Sequence, residues 1–143
     1  MAQYGLNLWF DMIEGFEDRM RAAVQFLNDA LYVPPYDVKG YNRSQFVALT
    51  MRLFKANMEN FSPEYIAKLE QQYREHRTHK TQKTSLNLNA NAVEWCDSIA
   101  EWLSQHTAVR HVYHGDSPNR KLVALFAVYH LFNEMEKSNQ QGQ

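Results

Sequence analysis

The chain has 143 residues, 45% of them apolar, and a net charge of −1. That length fits one domain, which buries about two-thirds of its unfolded surface and so needs no disulfide or metal staple for a core. The near-neutral balance gives no bulk-charge argument for nucleic acid or an acidic tail, and the one cysteine, Cys96, excludes an internal disulfide and points to a reducing, cytoplasmic compartment.

Hydrophobic periodicity predicts an all-α fold: one compact, irregular bundle of about five helices over residues 1–137, with a disordered polar tail at 138–143. Trp9, Ile13, Phe16, Met20, Ala23, Leu27 and Ala30 recur every three or four residues, the stripe of a first helix over 8–32 with Asn7 as its cap. Pro34, Pro35 and Gly40 prevent its continuation. A second helix over 44–60 carries two adjacent stripes: Phe46, Leu49, Leu53 and Ala56 beside Val47, Met51, Phe54 and Met58. A helix apolar on so much of its circumference belongs in the centre of the bundle.

The third helix, over 63–78, has the best start signal in the chain. Ser62 caps it, Pro63 takes its first position, and Glu64 meets the positive end of its dipole. Its apolar set is thin (Tyr65, Ile66, Leu69, Tyr73), so it should be half exposed. Residues 80–91 are polar and read as a loop. A fourth helix over 90–106 places Ala92, Trp95, Ile99 and Trp102 on one face with Cys96 and Leu103 beside them. Residues 108–114 suit either a helical turn or an extended piece. The fifth helix, over 118–137, opens at Asp116 or Ser117 with Pro118 in its first turn, and packs Leu122, Leu125, Phe126, Tyr129 and Phe132 inward.

Two stretches present contact surfaces. The connection between the first two helices holds Tyr32, Tyr36 and Tyr41 around Pro34 and Pro35. Tyrosine joins a rigid apolar face to a polar tip, and proline lowers the cost of ordering a loop on binding. The alternative is that these rings fold back over the bundle end. The second stretch is basic. Residues 41–84 hold eight basic and four acidic side chains, and Arg74, Arg77, Lys80 and Lys83 recur every three residues. Such a stripe can follow phosphates of RNA or DNA, although it lacks the interleaved aromatics of a single-strand platform. A solvated helix end, its cations favoured by the dipole, explains it equally.

Chemical motifs are sparse. His76-x-x-His79 and His111-x-x-His114 offer four imidazoles for a metal, but without the cysteines of a structural zinc site or the H-E-x-x-H of a catalytic one. The Arg74-x4-His79 spacing is that of the HEPN-fold ribonucleases, small all-α domains that cleave RNA without a metal. With six histidines and eight arginines, about one such match arises by chance. Cys96 beside Trp95 reads as a buried, inert thiol. His130, between Tyr129 and Leu131, reads as a core-edge residue.

The sequence therefore predicts a non-enzymatic helical interaction protein that docks onto a larger protein or complex, as adaptors, inhibitors, small subunits, immunity proteins and counter-defence proteins do, and that needs no cofactor. The alternatives are a nucleic-acid-binding accessory subunit using residues 74–83 and a metal-independent ribonuclease. Homodimerisation through the second helix or the Trp95/Trp102 face is a corollary. Asp11 and Glu14 interrupt the only N-terminal apolar run, so neither a secretory signal nor a membrane span is expected.

Overall fold

Alternation, rather than a helical stripe, governs the first residues of the structure. The structure, a computed structural model, describes residues 6–29, 42–78, 83–105 and 120–141. Leu6–Asp11 form strand β1, and Gly15 ends any prospect of a helix running through from residue 8. Gly15 sits at φ 67°, in the left-handed region, and the turn closes through Phe16 N–H to the Ile13 carbonyl at 3.0 Å. A side chain at Gly15 would meet no atom within 4 Å, so only the backbone demands glycine there. That demand is worth about 1–2 kcal/mol. Helix α1 then runs Phe16–Asp29, shorter at its start than the 8–32 expected, with Phe16, Met20, Ala23, Val24 and Leu27 buried.

Helix α2, Arg43–Asn57, starts at a capping box. The Asn42 side chain accepts from Gln45 N–H at 2.8 Å, and the Gln45 side chain accepts from Asn42 N–H at 3.2 Å. A 3-10 turn, Met58–Asn60, leads into α3, Pro63–Thr78, where Ser62 Oγ accepts from Tyr65 N–H at 3.1 Å as its sequence promised. Lys83–Leu88, read from sequence as loop, form strand β2. Asn89 then caps α4, Ala90–Ser104, accepting from Ala92 N–H at 2.9 Å. The last helix, α5, spans Arg120–Gln141, so it continues through residues expected to be a disordered tail.

These five helices and the small sheet β1–β2 make a compact all-α fold. Every residue from Leu122 to Val128 is buried, so α5 is enclosed on all sides at that level. It packs on α2, α3, α4, α1 and β1, with α2 as its main neighbour. Phe46 of α2 is the hinge of this packing, lying edge-on to Phe16 at 5.8 Å and stacked with Phe132 at 6.4 Å. The broadly apolar α2 is central, as its two stripes require, and its buried Phe46, Val47, Leu49, Met51 and Phe54 are therefore turned into the chain rather than toward a second copy. Arg120 of α5 grips Asp97 of α4 with two bonds of 2.9 and 3.0 Å. Among the described residues no helix is long and apolar enough to cross a membrane.

Candidate functional site

The residues marked out by sequence divide into those the structure places and those beyond it. Tyr32, Tyr36, Tyr41, His79, Lys80, His111 and His114 lie outside the described residues. Arg77 falls in the last turn of α3. Arg74 is half exposed and bonded to Glu70, one turn earlier on the same helix, whose carboxylate is almost wholly buried. Lys83 is exposed at the start of β2, opposite Asp11 in the register. His76 is turned into the α3–α5 interface, with Nδ1 3.2 Å from the Tyr129 hydroxyl and the two rings edge-on. Arg74 and His76 thus serve different neighbours, one at the surface and one inside. Among the described residues no three His, Cys, Asp or Glu side chains converge on one point.

The same interface holds a polar network that the sequence pattern did not reveal. His130, expected at the core edge, is only 3% exposed, enclosed by Phe54, Phe61 and Tyr65 at ring distances of 4.8–5.7 Å. Tyr65 Oη lies 2.6 Å from His130 Nδ1, and Asn133 Nδ2 approaches the same oxygen at 3.4 Å. The tyrosine oxygen thus joins His130 and Asn133 in one network. Asn133 and Gln72 close the network by exchanging amide bonds of 2.8 and 2.9 Å.

Burial sets the protonation of this group. It lowers His130 to about 4 and raises Tyr65 to about 12, the latter against the opposing Asn133 hydrogen bond and reinforced by the Glu134 charge. Both side chains are neutral at pH 7. Burial likewise raises Tyr129 and pushes the Cys96 thiol up to about 12, with Asp97 adding to the latter. Cys96 is buried, as its sequence position suggested. A cleft of about 450 Å³ opens beside Tyr65 and Asn133 between Lys68 and Lys137 on one hand and Glu134 and Glu136 on the other. The network's hydrogen bonds are already made within the protein, so it acts as a fixed wall of that cleft.

The sheet presents a different kind of surface. β1 and β2 pair antiparallel in one-to-one register, Leu6 opposite Leu88 through Asp11 opposite Lys83. Leu86 and Leu88 are buried and Leu8 half-buried, which directs the other face, with Trp9, Ser85 and Asn87, to solvent. Trp9 is 61% exposed, the one large apolar side chain so placed among those described. Its sequence spacing had assigned it to the core, and the strand's alternation overturns that assignment.

The two edges of this sheet differ. At β2, Asn87 N–H points away from β1 and donates to Ser44 Oγ of α2 at 2.8 Å, while Arg43 reaches Thr84 Oγ1 at 2.8 Å and also bonds Glu17. The start of α2 thereby covers that edge. The outward Asn87 amide also marks Asn7–Asn87 as a non-hydrogen-bonded pair, and with it Trp9–Ser85 and Asp11–Lys83. The main-chain groups of Asn7, Trp9 and Asp11 therefore point outward from β1. Among the described residues no strand pairs with that side.

The clue to this edge in the sequence is the alternation Leu6, Leu8, Phe10 against Asn7, Trp9, Asp11, ended by Gly15. Six residues of alternation were overridden by a longer helical stripe. No protein-family model, curated protein or solved structure matches this chain.

Proposed function

We propose that the protein is a non-enzymatic interaction module that docks onto a larger protein through β1, by accepting an extended partner segment as an added strand. The observation that supports this most is Trp9, 61% exposed on a strand whose outer side has no strand partner among the described residues. An open edge supplies a row of main-chain donors and acceptors, and an aromatic anchor supplies contact area at low entropy cost. The bundle backs this edge, since β1 rests on α5 and on β2.

Trp9→Ala removes the anchor and Asn7→Pro removes one outward amide without touching the β1–β2 ladder. Trp9→Ala is expected to keep its folding stability within about 0.5 kcal/mol, as surface changes do, and the melting curve of Asn7→Pro checks that its fold is retained. Affinity capture from native lysate, run side by side with the parent chain, should show a protein retained by the parent and lost from both variants. Equal retention by all three chains would sink the proposal.

A further inference from the structure

We infer that α3 is an acid-released flap: protonation of the His130 imidazole, buried between α3 and α5, frees α3 from α5 while the rest of the bundle stays folded, and so uncovers the α5 face that carries Phe126 and Tyr129.

The seam between these two helices is built differently from the others around α5. α3 packs on α5, and three polar pairs join them along their length. Tyr65 meets His130 at 2.6 Å, Gln72 and Asn133 exchange bonds of 2.8 and 2.9 Å, and His76 meets Tyr129 at 3.2 Å. Two of these three pairs contain an imidazole, and both imidazoles are buried. α2 instead turns Phe46, Val47, Leu49, Met51 and Phe54 inward, with Phe46 stacked on Phe132 of α5. Its buried Thr50 hydroxyl donates within its own helix, to the Val47 carbonyl at 2.7 Å. α4 is tied to α5 by the half-exposed Asp97–Arg120 ion pair. Charging an imidazole therefore strikes first at the seam of α3.

The groups that face His130 are Phe54 from α2, Phe61 from the turn before α3 and Tyr65 from α3, with Trp102 of α4 behind Phe61. All four are neutral at pH 7, so none of them offsets an imidazolium. Charges act on the seam from further out: Glu134 on Tyr65, and Arg19 and Glu75 on Tyr129. Lys68 stands at the mouth of the cleft.

Burial lowers His130 to about 4, whereas an imidazole in water titrates near 6.5. Release of α3 takes Tyr65 off the ring and admits water, so the open form binds the proton more readily. The closed seam is at full strength above pH 6.5 and weakens as the pH falls toward 4. By linkage, the opening constant of α3 rises about eightfold from pH 7 to 5.5 and about sixtyfold by pH 4.5. The buried Ile66 and Leu69, with Tyr73 against Phe126, hold the flap shut at neutral pH.

Amide exchange of the full chain in low urea at pH 7, 5.5 and 4.5, corrected for intrinsic rates, reads each helix separately. Protection of α3 should fall about eightfold and then about sixtyfold, with a urea slope well below that of α2, because release exposes one helix rather than the whole core. In Tyr65→Phe/His130→Phe, which has no imidazole at this position, most of that pH response should vanish. Protection and urea slope shared by α3 and α2 would mean global unfolding and overturn the flap. So would α3 protection that ignores pH, or a decline that the double variant shows in full. NMR titration of the parent's imidazoles needs no variant: the His130 ring should stay neutral at pH 5.5 and gain its proton only below pH 5. A ring that titrates near 6.5 while α3 keeps its protection would equally overturn it.

Discussion

Lowering the pH from 7 to 4 is expected to cost the fold about 3 kcal/mol through His130 alone. The imidazole is lowered to about 4 by burial among Phe54, Phe61 and Tyr65, against an unfolded value near 6.5. The unfolded chain therefore binds a proton here more readily than the folded one. The contribution is fully present above pH 6.5, falls as the pH drops toward 4, and changes no further below it. Protonation also sets a cation among the apolar rings of Phe54 and Phe61. Carboxylates titrate in part of the same range, so the comparison has to be with a chain lacking only this pair. In the double variant Tyr65→Phe/His130→Phe, donor and acceptor disappear together and leave no orphaned polar group of the pair. Urea midpoints at pH 7, 5.5 and 4.5 should fall more steeply for the parent than for the double variant. Parallel decline in the two chains would contradict the assignment.

Truncating the centre of α5 is expected to have the largest effect of all. Phe126 is wholly buried and meets Tyr73 of α3 edge-to-face at 5.8 Å. Phe126→Ala should cost about 3–5 kcal/mol, the usual sum of lost transfer energy and residual cavity. That is a large part of the roughly 5–15 kcal/mol available to a domain. Because Phe126 packs against Tyr73 of α3, hydrogen exchange in α3 should accelerate in step with the fall in the denaturation midpoint. Unchanged protection of α3 would mean that this helix is held by the Tyr65–His130–Asn133 network instead.

How much of this was legible depends on whether a residue's partner is near it in sequence. Caps are local, so Ser62-Pro63-Glu64 gave the start of α3 to the residue. The two stripes of α2 gave its central place, because a helix apolar over most of its circumference must be covered. β2 was not legible. Lys83-Thr-Ser-Leu-Asn-Leu88 has two large apolar residues among polar ones, and its partner lies over seventy positions away at Leu6–Asp11. Trp9 misled for a related reason: its four-residue spacing to Ile13 joined a strand residue to the stripe of the next helix. Gly15 alone signalled the break, and one glycine in a helical pattern is weak punctuation.

The candidate site shows the same division. His76 and Arg74 were read as members of a motif and a stripe, yet Glu70 draws Arg74 along the helix while His76 turns inward to Tyr129. His130, Asn133 and Gln72 carried no pattern at all, since a buried polar network is defined by contacts between α3 and α5 that no spacing within either helix announces. The proposed docking edge required knowing both that β1 is a strand and that α2 covers the opposite edge of the sheet. The tyrosine-rich connection, Tyr32 to Tyr41, lies outside the described residues and stands as an expectation.

Amide hydrogen exchange within β1 tests the central claim most directly. In dilute solution the amides of Leu8 and Phe10, bonded to β2, should be protected, while those of Asn7, Trp9 and Asp11 should exchange fast. Adding a captured partner should slow the second set and leave the first nearly unchanged. Protection of Asn7, Trp9 and Asp11 in the dilute chain, or no slowing when a complex forms, would contradict the account.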